Sequence, residues 1–164
     1  MSDWPDAKIR STALWYIGKH TMDPPTWQWT LVGAAHPEVL ARVELEPCEL
    51  PLVSFSVSNA TWYLLTTRRV LGHHSGRRVR VGALDVLENN FGDFKGHGGA
   101  KLQVMTLRLA GGREAALQYE TGRASMAPIY YFRYWTIKYP ILDKLKAEPN
   151  AAPDPLPTFT LPYS

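Results

Sequence analysis

The sequence predicts an α+β domain that is mainly β, built from an antiparallel sheet and a C-terminal helix. Three observations lead to this prediction. Residues 53–57 alternate apolar side chains with serine, and a period of two is typical of a strand with one buried face. The Gly-Gly pair at 111–112 separates two alternating stretches, which predicts a hairpin. After Gly122 the apolar residues take the spacing of a helix.

The strands are predicted in chain order from residue 52. The alternating strand covers 52–58, and 62–66 is a second strand because it is rich in aromatic and β-branched residues. A short third strand covers 69–71, and a turn at 75–76 follows it. A glycine-rich loop over 92–99 precedes the hairpin. The remaining predicted strands are 78–81, 102–109 and 115–119.

One long helix is predicted before the C-terminal tail. It begins at Ser125, a favoured N-cap residue, which places Pro128 in the first turn where its missing N–H costs nothing. Pro140 is expected to kink the helix because it removes a backbone hydrogen bond, and the helix is expected to end near Ala147. Its apolar stripe is predicted to be Met126, Ile129, Tyr130, Ile137, Ile141 and Leu145. The five prolines of residues 148–164 predict an extended tail.

Residues 1–50 are less regular and are expected to form an N-terminal extension that packs on the core. A short helix is predicted over 7–20, with Ile9, Ala13 and Ile17 near one face. The prolines after Asp23 break it, and 27–31 then alternates as a strand would. A second short helix is predicted to open at 36–38.

Composition narrows the class of protein. The chain has 164 residues, of which 45% are hydrophobic and 20% are charged, which suits one globular domain. Its net charge of +3 is too small to indicate a dedicated nucleic-acid binder. The single cysteine, Cys48, has no partner for an internal disulfide and fits a reducing compartment. With no secretory signal pattern and no long apolar run, the chain is expected to be soluble and cytoplasmic.

The order of the predicted elements resembles that of bacterial pleckstrin-homology-like (PH-like) domains. The motifs that carry the resemblance are an aromatic-apolar strand with a Thr-x-x-Arg turn at 63–70, the segment 79–87, the hairpin 104–113 and the closing helix at 125–146. The match covers about residues 51–147. The resemblance implies a bent, nearly closed antiparallel barrel capped by the C-terminal helix. It also implies no catalytic activity, and ligands that are phosphoinositides, peptides or whole proteins.

A cluster of basic residues is the first candidate binding site. Arginine presents a planar fork that suits phosphate or carboxylate, and paired strands would bring several of these side chains to one end of the barrel. The alternative is a solvated hairpin whose charges protect the strand edges from aggregation. The cluster consists of Arg68, Arg69, His73, His74, Arg77, Arg78 and Arg80.

Aromatic residues crowd the predicted C-terminal helix and form the second candidate. One helix face cannot bury all of them, because neighbouring residues differ by about 100° around the axis. They either pack against the extension with Trp15, Trp27 and Trp29, or form an exposed patch of the kind found at protein interfaces. The aromatic residues proposed to contact a partner are Tyr131, Tyr134 and Trp135.

No motif in the sequence identifies a reaction, and no residue is assigned a catalytic role. His73 and His74 would point to opposite faces of a strand, so no metal site is expected, and no cofactor is expected either. We therefore predict a non-enzymatic binding module. Its expected ligand is a protein, as for an adaptor or a toxin-neutralising immunity-type protein. An anionic phospholipid is the first alternative and nucleic acid the second.

Overall fold

A computed structural model describes residues 4–142 of the chain, so the predicted tail at 148–164 and the predicted helix end at 143–147 lie outside the described residues. The helices are α1 (Asp6–Gly18), α2 (Pro37–Leu40) and α3 (Met126–Arg133), and a π-helical turn, Tyr134–Lys138, continues α3. The strands are β1 (Thr30–Val32), β2 (Pro51–Ser58), β3 (Thr61–Thr66), β4 (Arg69–His74), β5 (Arg77–Gly82), β6 (Val86–Asn90), β7 (Leu102–Leu109) and β8 (Glu114–Glu120).

The strands form two antiparallel sheets, of five strands in the order β1 to β5 and of three strands in the order β6 to β8. The α+β, mainly β class is therefore confirmed, but the prediction of a barrel is wrong, because the sheet is open. A short 3₁₀ turn, Ala83–Asp85, carries the chain from β5 to β6, and these two strands do not pair. None of the helices within residues 4–142 is long and apolar enough to cross a membrane.

The main core fills the space between the two sheets and the helices. Phe55 of β2 stacks on Tyr63 of β3 with ring centroids 5.0 Å apart, and both are fully buried. Gly72 of β4 allows Leu117 of β8 to approach closely, because a Cβ on Gly72 would lie 2.5 Å from Leu117 Cδ2. The Leu117 side chain of the three-stranded sheet thus packs directly on the backbone of β4 in the five-stranded sheet.

A second, smaller core lies on the outer face of the five-stranded sheet. It is formed by Val39, Trp62, Leu64 and Leu71, with residues of the extension packed against it. The extension therefore covers the face of β2 that was predicted to be solvated, and Ser54 is fully buried there beside His36. The predicted alternation of β2 holds only in part for this reason.

The extension is joined to both sheets. The predicted helix over 7–20 is confirmed as α1, whose Ile9, Ala13 and Ile17 are buried, and α1 packs against α3. The predicted strand at 27–31 is the shorter β1, which pairs with β2. At the start of β1, the Glu120 carboxylate of β8 accepts three hydrogen bonds. The donors are the backbone N–H groups of Gln28 (2.8 Å) and Trp29 (2.9 Å) and the Thr30 hydroxyl (2.7 Å). A carboxylate thus links the sheets where no strand pairing does.

The C-terminal helix buries a different set of side chains from the predicted one. The predicted aliphatic stripe is wrong at Ile137 and Ile141, which are 52% and 57% exposed. The aromatic residues face the core instead, since an aromatic ring buries more area than an aliphatic side chain. Pro140 follows the π-helical turn, in which the Tyr139 N–H donates to the Tyr134 carbonyl, so the regular α-helical hydrogen-bond pattern is interrupted just before the proline.

Candidate partner-binding groove

Arg68 and Arg69, at the turn between β3 and β4, are engaged in ion pairs within the fold. The Arg68 guanidinium lies 2.8 Å from a carboxylate oxygen of Asp6 and 2.9 Å from one of Glu46. Arg69 donates two hydrogen bonds to Glu49, at 3.0 Å and 2.7 Å, and the Glu49 side chain is fully buried. All three carboxylates come from the extension and α1. Neither arginine is therefore free to bind an external anion without breaking these pairs.

These pairs determine the ionisation of the carboxylates. Burial raises the pKa of Glu49, but hydrogen bonds from Arg69 and from the Thr66 hydroxyl outweigh burial and leave the pKa below its ordinary value. Burial likewise raises the pKa of Asp6, and hydrogen bonds from Arg68 and Thr67 lower it to a net depression. Both groups are therefore charged at neutral pH and act as structural counterions.

Part of the predicted basic cluster comes together: Arg68, Arg69 and Arg80 line one cavity of about 520 Å³. Arg69, Arg78 and Arg80 line a second cavity of about 560 Å³. The other members lie at the far end of β4. β4 continues to His74, and His74 pairs with Arg77 across a tight hairpin. This hairpin is separated from Arg69 by the length of β4, about 17 Å. His73 and Arg78 face each other as a second pair, and Arg80 lies opposite Leu71. Within residues 4–142, no three His, Cys, Asp or Glu side chains come together as a metal site would require.

The three aromatic residues proposed to contact a partner are buried. Tyr131 and Tyr134 are fully buried and Trp135 is 4% exposed. The Tyr131 hydroxyl donates to the backbone carbonyl of Thr66 at 2.8 Å, and the Tyr134 hydroxyl lies 2.7 Å from that of Thr12 in α1. The exposed patch is therefore wrong for these side chains. Packing against the extension holds for Tyr134, whereas the Tyr131 hydroxyl bonds to β3, and Trp15, expected to join the packing, is 58% exposed.

The structure presents a different surface, a groove between β6 and α3. β6 is the outer strand of the three-stranded sheet and pairs only with β7, so its other edge is free along the described chain. A cavity of about 820 Å³ lies at this strand and is lined by residues of β6 and α3, with further residues of β7 and β8. We call this space the β6–α3 groove.

The two walls of the β6–α3 groove differ in chemistry. The strand wall carries Glu88, Asn89 and Asn90, which are exposed, and Phe91 closes the end of the strand. A bulge between Val86 and Glu88 precedes this regular stretch. The helix wall is more apolar and consists of Met126, Ile129, Tyr130 and Arg133. Polar strand residues and largely apolar helix residues thus line the same open cavity.

Charged side chains lie at the border of the groove. Arg108 of β7 donates to Glu88 at 2.8 Å, and this pair is exposed. Arg133 lies over the ring of Tyr130, 5.2 Å from its centroid, and His20 stacks on the same ring at 3.9 Å. Tyr130 is thereby held between two groups at the rim of the groove.

The sequence contains only a weak signal for this site. Residues 86–90 hold two asparagines and one glutamate and do not alternate, so no strand was predicted there. The one available clue is that Val86 and Phe91, which bracket the stretch, are apolar and are both buried in the structure. An edge strand with little burial leaves no stronger pattern.

Comparison of the chain with protein-family models, with curated proteins and with solved structures finds no match. Any assignment of function is therefore argued from the geometry of the fold and of the β6–α3 groove.

Proposed function

We propose that this chain is a PH-like binding module that binds an extended segment of a partner protein in the β6–α3 groove. The observation that carries the proposal is that β6, whose outer edge is unpaired in the described chain, shares a cavity with the half-buried apolar residues of α3. An extended peptide adds to such an edge through main-chain hydrogen bonds, and pockets beside the edge select its side chains. An adaptor or a toxin-neutralising protein would use a surface of this kind.

The strand order supports the PH-like part of the proposal. β2 to β5 form a four-stranded antiparallel meander, β6 to β8 form a three-stranded one, and α3 follows them. The resemblance implies consecutive strands, a long loop, two strands joined by Gly-Gly and a closing helix, and these elements occur here in that order, with β6 as an additional strand. The chain departs from the implied form in two ways, because β1 adds a fifth strand to the first sheet and the two sheets do not close into a barrel.

The dimensions of the groove suit a short peptide. β6 has five residues and so spans about 17 Å, which matches an extended segment of about five residues. Alternate side chains of that segment would point toward Ile129 and Met126, and the others toward solvent. We therefore expect the bound segment to alternate apolar and polar residues.

A peptide library displayed on phage and panned against the full chain tests the proposal. We expect selected peptides to alternate apolar and polar residues and to slow amide hydrogen exchange at 88–90. The variant Ile129→Glu places a charge on the helix wall, and we expect it to weaken the selected peptide about tenfold or more. The matched control is Ile137→Glu, on the continuation of the same helix but outside the groove, and it should bind as the wild type does.

Two results would contradict the proposal. One is selection of peptides whose binding protects a different surface and leaves 88–90 unchanged. The other is equal loss of affinity in Ile129→Glu and Ile137→Glu, since that outcome would reflect added negative charge and not the position of the side chain. Circular dichroism of both variants establishes that they retain the fold.

A further inference from the structure

A second surface lies on the outer side of α1 and of the α3 helix with its π-helical continuation, and the proposed function does not use it. Trp15 of α1 is 58% exposed, and Ile137 and Ile141 of the other helix are 52% and 57% exposed. The two helices are in contact, since Thr12 meets Tyr134 and Tyr16 meets Tyr130. We call this outer side the helix-pair face.

Cations surround the apolar side chains of the helix-pair face. Lys19 Nζ lies 4.4 Å from the Trp15 ring centroid, and Lys138 Nζ, which reaches across from the second helix, lies 5.6 Å from it. Lys8 is a further exposed cation on α1. Although two ammonium groups approach the indole, more than half of the Trp15 side chain stays open to solvent.

Negative charge is nearly missing from the described part of these helices. In residues 6–20 and 126–142 Asp6 is the sole carboxylate, and it is buried and paired with Arg68. Within the described residues, Lys19 and Lys138 therefore have no carboxylate on their own helices to neutralise them. Exposed tryptophan and isoleucine beside such cations match the surface of an anionic bilayer, where indole rings sit at the headgroup level and lysines meet the phosphates.

We propose that the helix-pair face, centred on Trp15 between Lys19 and Lys138, docks the protein on the surface of an anionic phospholipid bilayer. The contact is peripheral: the apolar side chains enter the interface and the cations lie at the lipid phosphates. This site is separate from the β6–α3 groove, so a docked molecule can still take up a peptide. It is also separate from the His74–Arg77 hairpin, on which no part of the contact depends.

Co-sedimentation of the full chain with vesicles tests the proposal. One vesicle contains phosphatidylcholine alone and the other contains phosphatidylcholine and phosphatidylglycerol in equal parts. We expect binding to the second vesicle only, with a loss at high salt. Each lysine contributes about a fivefold change in affinity, so we expect Lys19→Ala/Lys138→Ala to bind about 30-fold more weakly. Trp15→Ser should weaken binding about tenfold.

Matched controls separate this face from the rest of the molecule. Arg77→Ala/Arg78→Ala removes the same charge from the hairpin and should sediment as the wild type does. Ile129→Glu should keep vesicle binding while it loses the peptide, so the two proposals can fail independently. The proposal is overturned if the wild type ignores anionic vesicles, or if the hairpin variant loses as much binding as the lysine variant. It is also overturned if the lysine pair affects binding to a single-stranded oligonucleotide but not to vesicles.

Discussion

Replacement of Arg69 by methionine isolates the energetic role of the buried ion pair. The Arg69 side chain is 10% exposed and the Glu49 side chain is fully buried, so Arg69→Met leaves a carboxylate in the interior without its cation. The variant also removes a hydrogen bond of 3.0 Å to the backbone carbonyl of Glu44. Loss of one partner of a buried pair costs about 3–5 kcal/mol of folding free energy.

Urea unfolding followed by circular dichroism measures this cost. With a slope of about 1–3 kcal/mol per molar for a small protein, we expect the midpoint to fall by about 2 M. The matched control is Arg108→Met, whose pair with Glu88 has a similar distance of 2.8 Å but exposed side chains, and we expect a far smaller shift. The double variant Arg69→Met/Glu49→Gln should recover part of the lost stability, because it leaves no uncompensated charge.

An equal fall of the urea midpoint in Arg69→Met and Arg108→Met would contradict the predicted cost of exposing the buried Glu49 charge. Such a result would mean that solvent reaches Glu49 and screens it as it screens Glu88. A double variant less stable than Arg69→Met would also contradict the argument, since the charge on Glu49 would then stabilise the fold even without its partner.

Two further predictions concern stability. We expect Gly72→Ala to lower the free energy of unfolding, measured in urea, by about 1–3 kcal/mol. The new Cβ would lie 2.5 Å from Leu117 Cδ2 and 2.9 Å from a backbone oxygen. The control is Gly18→Ala, which should not destabilise the protein because no atom lies within 4 Å of its new Cβ. Equal stability of these two variants would contradict close packing of the sheets. The depressed pKa of Glu49 predicts stability that is present at neutral pH and is lost as the pH falls below about 4, through the folded-state pKa. The urea midpoint of a Glu49→Gln variant should therefore change less than that of the wild type between about pH 5 and about pH 2. An equally steep loss in both proteins would contradict this prediction.

The elements that the sequence predicts well are those with local signals. The second strand and the hairpin at 111–112 follow from composition and turn chemistry within a few residues, and the structure contains both. The helix over 7–20 was predicted correctly because its apolar residues recur at helical spacing. Each of these patterns lies within one short segment, so it can be recognised without knowing which other segments the residues contact in the fold.

The errors arise where the outcome depends on distant residues. The third strand was predicted to end at 71 but extends to His74, so a full strand separates Arg69 from the turn at 75–76, whose position was predicted correctly. The partners of Arg68 and Arg69 lie 20 to 62 residues earlier in the chain, so no local pattern indicates that these side chains are occupied. Burial of the helix aromatics likewise depends on α1, which reaches them only in the folded state.

The way Glu120 and the ion pairs tie the extension to both sheets has a practical consequence for dissecting this protein. A fragment starting at Pro51 would lack the carboxylates that neutralise Arg68 and Arg69, and it would open the apolar side chains of Trp62 and Leu71 to water. It would also leave Glu120 without the donors that hold the end of β8. We therefore expect the smallest unit that folds independently to include α1, so the border suggested by a family resemblance is unsuitable as a truncation point.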